Sequence, residues 1–283
     1  MSDLFMPLTV GDLFCGAGGF SEGFRQAGFD IKWAVDNWIP AALTYEKNLG
    51  HKVITDDILQ LDLKKLSNVD VIIGSPPCQG FSFANRAGNG DKSKGLELVN
   101  KYFEIIEKKK PQYWIMENVP NTKKYLPITI KNNEISIDNY NIKVNKLEIL
   151  NSANYGVPQK RKRLFFGYYP APLAQYTEDD QSKMMEKGRK WKSMKDVLER
   201  LPHPLEKKPH ANITDPNYGF EIPESKLSEQ KYITYFTNDQ VFETRKSKVD
   251  HSYWGKMSFP DKIDKPSRTI TASLYAPGRQ SIV

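Results

Sequence analysis

Residues 8–36 read LTVGDLFCGAGGFSEGFRQAGFDIKWAVD, and the order of residue types in this stretch decides the fold class. Leu8–Phe14 is a short apolar run of strand type, Ser21–Ala27 opens a helix, and Ile31–Val35 is a second strand-type run that ends at Asp36. Between the first strand and the helix lies Asp12-Leu13-Phe14-Cys15-Gly16-Ala17-Gly18-Gly19-Phe20, a turn whose glycines let a ligand approach the backbone closely. By itself such a turn is either a nucleotide-type site or a tight connection. Asp36 favours the first reading, because a carboxylate at the exit of the next strand can accept hydrogen bonds from ribose hydroxyls. Asp57, after the following segment, is a candidate adenine contact. Taken singly, both acids could be solvated residues or helix caps.

Outward from this stretch the alternation continues. Val69–Ile73 and Tyr113–Met116 are further strand candidates, each ending before a polar or Gly/Pro-rich turn. Ala41–Asn48 and Glu97–Lys108 read as helices, the second with apolar Leu98, Val99, Tyr102, Phe103, Ile105 and Ile106, and terminated by Lys108-Lys109-Lys110-Pro111. Strands and helices in alternation through Phe166 predict a layered α/β domain with ligands at the carboxyl ends of its strands. Over residues 128–150, isoleucines, Val144 and Leu147 mostly alternate with polar neighbours around Asn-Asn and Asp-Asn turn signals, which predicts β-hairpins. After Tyr169 the periodicity fades. The expected organisation is a catalytic domain over 1–168, a smaller irregular lobe over 169–266, and a return segment over 267–283.

Composition bounds the rest. The 283 residues are 39% hydrophobic and 27% charged, enough for one large core and a smaller second lobe. No run of 18 apolar residues occurs, and the N-terminus lacks the residue series of a secretory signal, so a soluble, cytoplasmic protein with no membrane partner is expected. The net charge of +7 suits a polyanionic partner, because basic side chains release counterions from phosphates. The two cysteines, Cys15 and Cys78, exclude a disulfide framework, and neither has the Cys or His neighbours of a structural zinc site; no metal is expected.

Gly74-Ser75-Pro76-Pro77-Cys78-Gln79-Gly80-Phe81-Ser82 follows the strongly apolar Val69–Ile73 run and presents a cysteine on a proline-stiffened loop. A thiolate is a strong nucleophile, especially where positive charge lowers its pKa. A lone cysteine is more often buried and inert, but the polar Gly/Pro-rich setting argues against burial here.

Across Leu8–Phe166 the sequence resembles the cytosine-C5 DNA methyltransferases of bacterial restriction-modification systems. The resemblance rests on ordered motifs: DLFCGAGGF at 12–20, SPPCQGFS at 75–82, ENV at 117–119 and NYGVPQKRKRLFF at 154–166, with RTIT at 268–271 after a variable gap. It implies a Rossmann-like S-adenosylmethionine-dependent methyltransferase sheet with a smaller irregular target-recognition lobe. It also implies catalytic roles for Cys78, Glu117, Arg161 and Arg163. Cys78 would attack C6 of a cytosine flipped out of double-stranded DNA, and Glu117 would hydrogen-bond N3 and the exocyclic amine. Arg161 and Arg163, two apart on an extended segment, would share a face and reach the pyrimidine O2 and a phosphate. For S-adenosylmethionine, which leaves as S-adenosylhomocysteine, the resemblance implies contacts from Phe14, Ala17, Gly18, Gly19, Asp36, Asn37, Asp57, Ile58, Pro77 and Leu98. Gln79, Ser82, Asn118 and Arg268 fall on the substrate or DNA side.

This chain departs from the family pattern at three places. Asn37 stands where the family is often aromatic, with Trp38 next, and residues 128–150 read as hairpins where the family usually places a helix. The family's final Gly-Asn-containing motif does not follow RTIT, which implies either truncation or a complementing C-terminal subunit or fragment. An RNA cytosine methyltransferase is the alternative among enzymes, since the same chemistry serves either polymer. An incomplete binding subunit is the alternative outside them.

Overall fold

The predicted alternation folds into one mostly parallel sheet. The computed structural model of the chain describes residues 6–77, 92–177, 189–198, 212–214, 221–223 and 264–269. In chain order the strands through residue 168 are β1 (Thr9–Leu13), β2 (Asp30–Asp36), β3 (Ile54–Thr55), β4 (Val71–Gly74), β5 (Tyr113–Asn118), β6 (Ile128–Lys131), β7 (Glu134–Ile137), β8 (Lys146–Asn151), β9 (Gln159–Lys160) and β10 (Lys162–Tyr168). The large sheet has the order β3-β2-β1-β4-β5-β10-β8. Its first five strands are parallel, and β10 runs antiparallel to β5 with Leu164 opposite Asn118 and Phe165 opposite Glu117. The chain moves outward from β1 to β2 and β3, then returns to lay β4 on the other side of β1. That reversal makes a switch point, where the connections leaving adjacent strands diverge and open a crevice.

The strands are apolar on both faces because helices cover both. Along β4, Val71 and Ile73 join Val10 in one cluster, against Phe20 and Phe24 of α1 (Gly19–Gln26). Ile72 faces the opposite cluster, which holds Val99, Tyr102, Phe103, Ile105 and Ile106 of α3 (Lys92–Lys109) with Trp114, Met116, Leu164 and Phe166. Each of these large side chains contributes about 1.5–3 kcal/mol by leaving water. The helix α2 (Ile39–Leu49) begins with Pro40 in its first turn, where the missing N–H would find no intrahelical partner, and packs Ala42 and Tyr45 against Ala34 and Cys15.

Residues 128–150 meet the hairpin expectation in part. β6 and β7 form an antiparallel hairpin closed by Asn132 and Asn133, both at positive φ (50° and 64°), the conformation a two-residue turn needs to match strand twist. β8, by contrast, forms no local hairpin and extends the large sheet beyond β10. Its partner β10 follows it in the chain across residues 152–161.

The chain divides into two units, residues 1–150 with 162–172, and residues 151–161 with 173–283. Within the second, β9 pairs in parallel with Ser267–Arg268, which lie opposite Gln159 and Lys160 of the NYGVPQKR motif. Trp191 Nε1 donates to Asn154 Oδ1 at 2.9 Å, and Lys160 Nζ lies 4.8 Å from the Trp191 ring centre. Arg189 and Lys190 are exposed on a two-residue strand paired with Tyr176–Thr177. Among the described residues no helix is long and apolar enough to cross a membrane.

Candidate active site

Because β1 to β5 are parallel and β10 opposes them, the described sequence-nominated residues of the first unit, Leu98 of α3 apart, gather along one edge of the sheet. Phe14 to Gly19 follow β1, Asp36 closes β2 with Asn37 after it, Asp57 and Ile58 follow β3, Ser75 to Pro77 follow β4, Glu117 and Asn118 close β5, and Arg163 lies at the start of β10.

The glycine-rich turn is conformationally demanding. Phe14 adopts φ 59°, a left-handed conformation that costs an aromatic residue energy and that its packing against the main core offsets. Gly18 caps α1 at φ 95°, and a Cβ there would lie 2.6 Å from Leu49 Cδ1 and 2.8 Å from Tyr45 Cδ2. A Cβ on Gly16 or Gly19 would instead meet nothing within 4 Å, so the outer side of the turn is open. Ala17 is exposed.

Asp36 is anchored on both oxygens, accepting from the Gly16 N–H at 2.8 Å and the Trp38 N–H at 2.8 Å. A carboxylate has about four lone-pair directions, so capacity for ligand hydroxyls remains. Asn37 is exposed, and Trp38, which sequence reasoning left without a role, is 65% exposed beside it. Asp57 is exposed and accepts from the Leu59 N–H at 3.0 Å, whereas the Ile58 side chain is buried in the main core. Leu98 packs half-buried on that core. Beneath the turn, Asp12 is buried; desolvation, with repulsion from Asp36, outweighs its bond from Ser21 and raises its pKa to about 7. Burial likewise pushes the Cys15 thiol up, so this cysteine is a packed hydrophobe and no nucleophile.

At the other half of the edge, Arg163 Nε donates to Glu117 Oε1 at 2.9 Å, with both side chains about one-fifth exposed. Asn118, expected on the substrate side, is 2% exposed and bonded through both amide atoms: Nδ2 donates to the Pro76 carbonyl at 3.1 Å, while Oδ1 accepts from the Val119 N–H and Thr122 Oγ1, both at 2.8 Å. The end of β5 is thereby tied to the loop that leaves β4. At the end of β4, Gly74 lets β1 and α3 approach closely, because a Cβ there would lie 2.8 Å from the Leu13 carbonyl oxygen and 2.6 Å from the Tyr102 ring. Pro76 is buried and Pro77 exposed. Cys78, Gln79 and Ser82 lie outside the described residues, as does the side chain of Arg268. Arg161, whose N–H donates to the Gln159 carbonyl, belongs to the second unit. Among the described residues no group of three or more His, Cys, Asp or Glu side chains could hold a metal ion.

Comparison with known proteins gives this edge a context. Residues 8–274 match the family described as C-5 cytosine-specific DNA methylase. The chain is 36% identical over 172 residues to the Type II methyltransferase M.MthTI of Methanothermobacter thermautotrophicus, covering 59% of this chain and 51% of the relative. It is 36% identical over 210 residues to M.DdeI of Desulfomicrobium norvegicum, covering 69% and 48%. The chain thus spans about half the length of these relatives. In fold it is similar to a protein of E. coli described as a DNA modification methyltransferase encoded within a prophage, with a TM-score of 0.58 at 22% identity over 93% of this chain and 82% of that one. On the match over residues 8–274, the chain belongs to the C-5 cytosine-specific DNA methylase family.

Proposed function

We propose that the chain carries the catalytic machinery of a DNA (cytosine-5-)-methyltransferase of the restriction-modification type, acting on a cytosine flipped out of duplex DNA. The observation that carries this reading is the joint at the end of β5. There Glu117 is oriented by Arg163, and the adjacent Asn118 grips the Pro76 carbonyl two residues before Cys78.

The chemistry follows from the residue types. C5 of cytosine becomes nucleophilic only when a group adds at C6. The Cys78 thiolate forms that bond, and Glu117 hydrogen-bonds the N3 edge as the ring gains electron density, with Arg163 holding its carboxylate in place. Gln79 and Ser82 steady the extruded nucleotide. S-adenosylmethionine, when bound, supplies a methyl group activated by its sulfonium. Loss of the C5 proton then expels Cys78 and restores the aromatic ring. For the cofactor, Asp36 would hold the ribose, the open backbone of residues 17–19 the methionine portion, and Phe14, Asp57 and the Ile58 segment the adenine, with Pro77 and Leu98 as further contacts. The exposed Trp38 ring, next to Asn37, is the available stacking surface. Arg161 reaches the pyrimidine O2 and a nearby phosphate, Arg268 is on the DNA side, and residues 169–266 read the target sequence.

Incubation with S-adenosylmethionine and duplex DNA containing 5-fluorocytosine tests the reading, because fluorine at C5 blocks the final elimination. A denaturant-resistant adduct is expected with the wild type, supplemented with the C-terminal segment of a relative such as M.DdeI where the chain alone is silent. Cys78→Ala abolishes it and Cys15→Ala does not. An adduct that persists in Cys78→Ala would overturn the mechanism.

A further inference from the structure

Beneath the glycine-rich turn runs a hydrogen-bonded series that the proposed chemistry does not use. Asp12 Oδ2 accepts from Ser21 Oγ at 2.6 Å, Ser21 Oγ accepts from Tyr45 Oη at 2.9 Å, and Tyr45 Oη lies 3.2 Å from His51 Nε2. Asp12 is 1% exposed, and its Oδ1 has no hydrogen-bond partner among the described residues. Ser21 belongs to the first turn of α1, and Tyr45 belongs to α2, with its ring directly under Gly18. The half-buried His51 stands edge-on to the Tyr45 ring at 5.0 Å, just past the end of α2.

Counting protons makes the series directional. An ionised Asp12 can only accept, so Ser21 must donate to it and accept from Tyr45. Tyr45 has one hydroxyl proton, so its oxygen must then accept from His51, which requires a proton on Nε2. A neutral Asp12 permits the reverse order, with Asp12 donating to Ser21, Ser21 to Tyr45, and Tyr45 to His51 Nε2. The two orders interconvert when one proton passes from His51 Nε2 to Tyr45 Oη, that of Tyr45 to Ser21, and that of Ser21 to Asp12 Oδ2. Imidazolium and carboxylate become imidazole and carboxylic acid, with the proton count unchanged. The carbonyl of Lys52, 3.5 Å from His51 Nδ1, is too distant to lock one tautomer.

We propose that Tyr45 and His51 are positioning residues for cofactor binding, because their hydrogen bonds set the charge of Asp12 directly beneath the turn. The inference rests on the reading that this turn holds S-adenosylmethionine, whose sulfonium an anionic Asp12 attracts. Asp36, Cys15 and Tyr102 are the other titratable groups facing Asp12, and Glu46, itself paired with Lys52, faces His51. With Asp12 titrating near neutrality, the state of the series changes in the range where the protein would work.

The test is the dissociation constant of S-adenosylmethionine from pH 5.5 to 8.5 for the full-length chain and for Tyr45→Phe and His51→Gln, together with the ¹⁵N shifts of the His51 ring in the ligand-free protein. The cofactor's own amine titrates alike with all three proteins, so differences between the profiles report the series. Wild-type affinity is expected to rise with pH through the neutral range. Losing the Tyr45 hydroxyl weakens the Ser21 bond to the carboxylate, which moves the rise to higher pH and lowers affinity at pH 7 about threefold to tenfold. His51→Gln moves the profile in the same direction. In the free wild type, Nε2 should carry a proton above the Asp12 transition and its shift should follow that transition, a coupling that Tyr45→Phe removes. Superimposable binding profiles for the three proteins would overturn the inference. If the wild type binds no S-adenosylmethionine, the proposed function loses its cofactor, and the ring-nitrogen shifts alone decide the series: a shift indifferent to Tyr45→Phe refutes it.

Discussion

Asn118→Ala isolates the tie between β5 and the loop that carries Cys78. The substitution removes one donated and two accepted hydrogen bonds at a site 2% exposed, leaving the Pro76 carbonyl, the Val119 N–H and the Thr122 hydroxyl without their partner. A buried polar group left unsatisfied costs about 1–3 kcal/mol. Some relaxation and water entry are expected at three adjacent groups, so the total should be about 2–5 kcal/mol of unfolding free energy. Thr122→Val is the matched control. It deletes the Thr122 bond to Oδ1 at constant volume, costs about 1 kcal/mol, and leaves the grip on Pro76 intact. Urea denaturation gives both stabilities, and the rate of the 5-fluorocytosine adduct gives the functional readout. At temperatures where both variants are fully folded, Asn118→Ala should slow adduct formation by at least tenfold, with Thr122→Val close to wild type. Equal adduct rates in the two variants would show that the anchoring of Pro76 has no bearing on the nucleophile.

Two further outcomes follow from the glycine-rich turn. Gly18→Ala places a Cβ against Leu49 and Tyr45 at a φ of 95°, and should destabilise the fold by about 1–3 kcal/mol and weaken S-adenosylmethionine binding, as calorimetric melting and equilibrium titration would record; an unchanged melting temperature would contradict the geometry. Asp12, with its pKa raised from 3.8 to about 7, keeps its proton in the native state over a range where the unfolded chain has released it. Its contribution is therefore full below about pH 4 and declines as pH rises to about 7, at no more than about 1.4 kcal/mol per pH unit. Asp12→Asn should flatten that slope in urea titrations at several pH values, and parallel slopes in the two proteins would count against the burial argument.

Much of this architecture was legible in the residue order. Runs such as Leu8–Phe14 and Val69–Ile73 announce strands because apolar side chains of that length with turn residues after them have few other uses, and the apolar positions of α3 recur at helical spacing. Glu117 and Arg163 were nominated differently, by the resemblance of the ENV and NYGVPQKRKRLFF motifs to a known family. What stayed hidden was long-range. Nothing near Ser21 or Tyr45 shows that they meet over Asp12.

The sequence by itself determined the alternation of strands and helices, the glycine-rich turn, and the types of residue available at each strand exit, because these are local properties of composition and spacing. Tertiary structure decided which exits share an edge, that Asn118 grips Pro76, that Arg163 pairs with Glu117, and that Asp12 is buried near another acid. Those outcomes depend on contacts between residues 20 to more than 40 positions apart, and on the desolvation such contacts impose. Neither can be read from a neighbourhood in the chain.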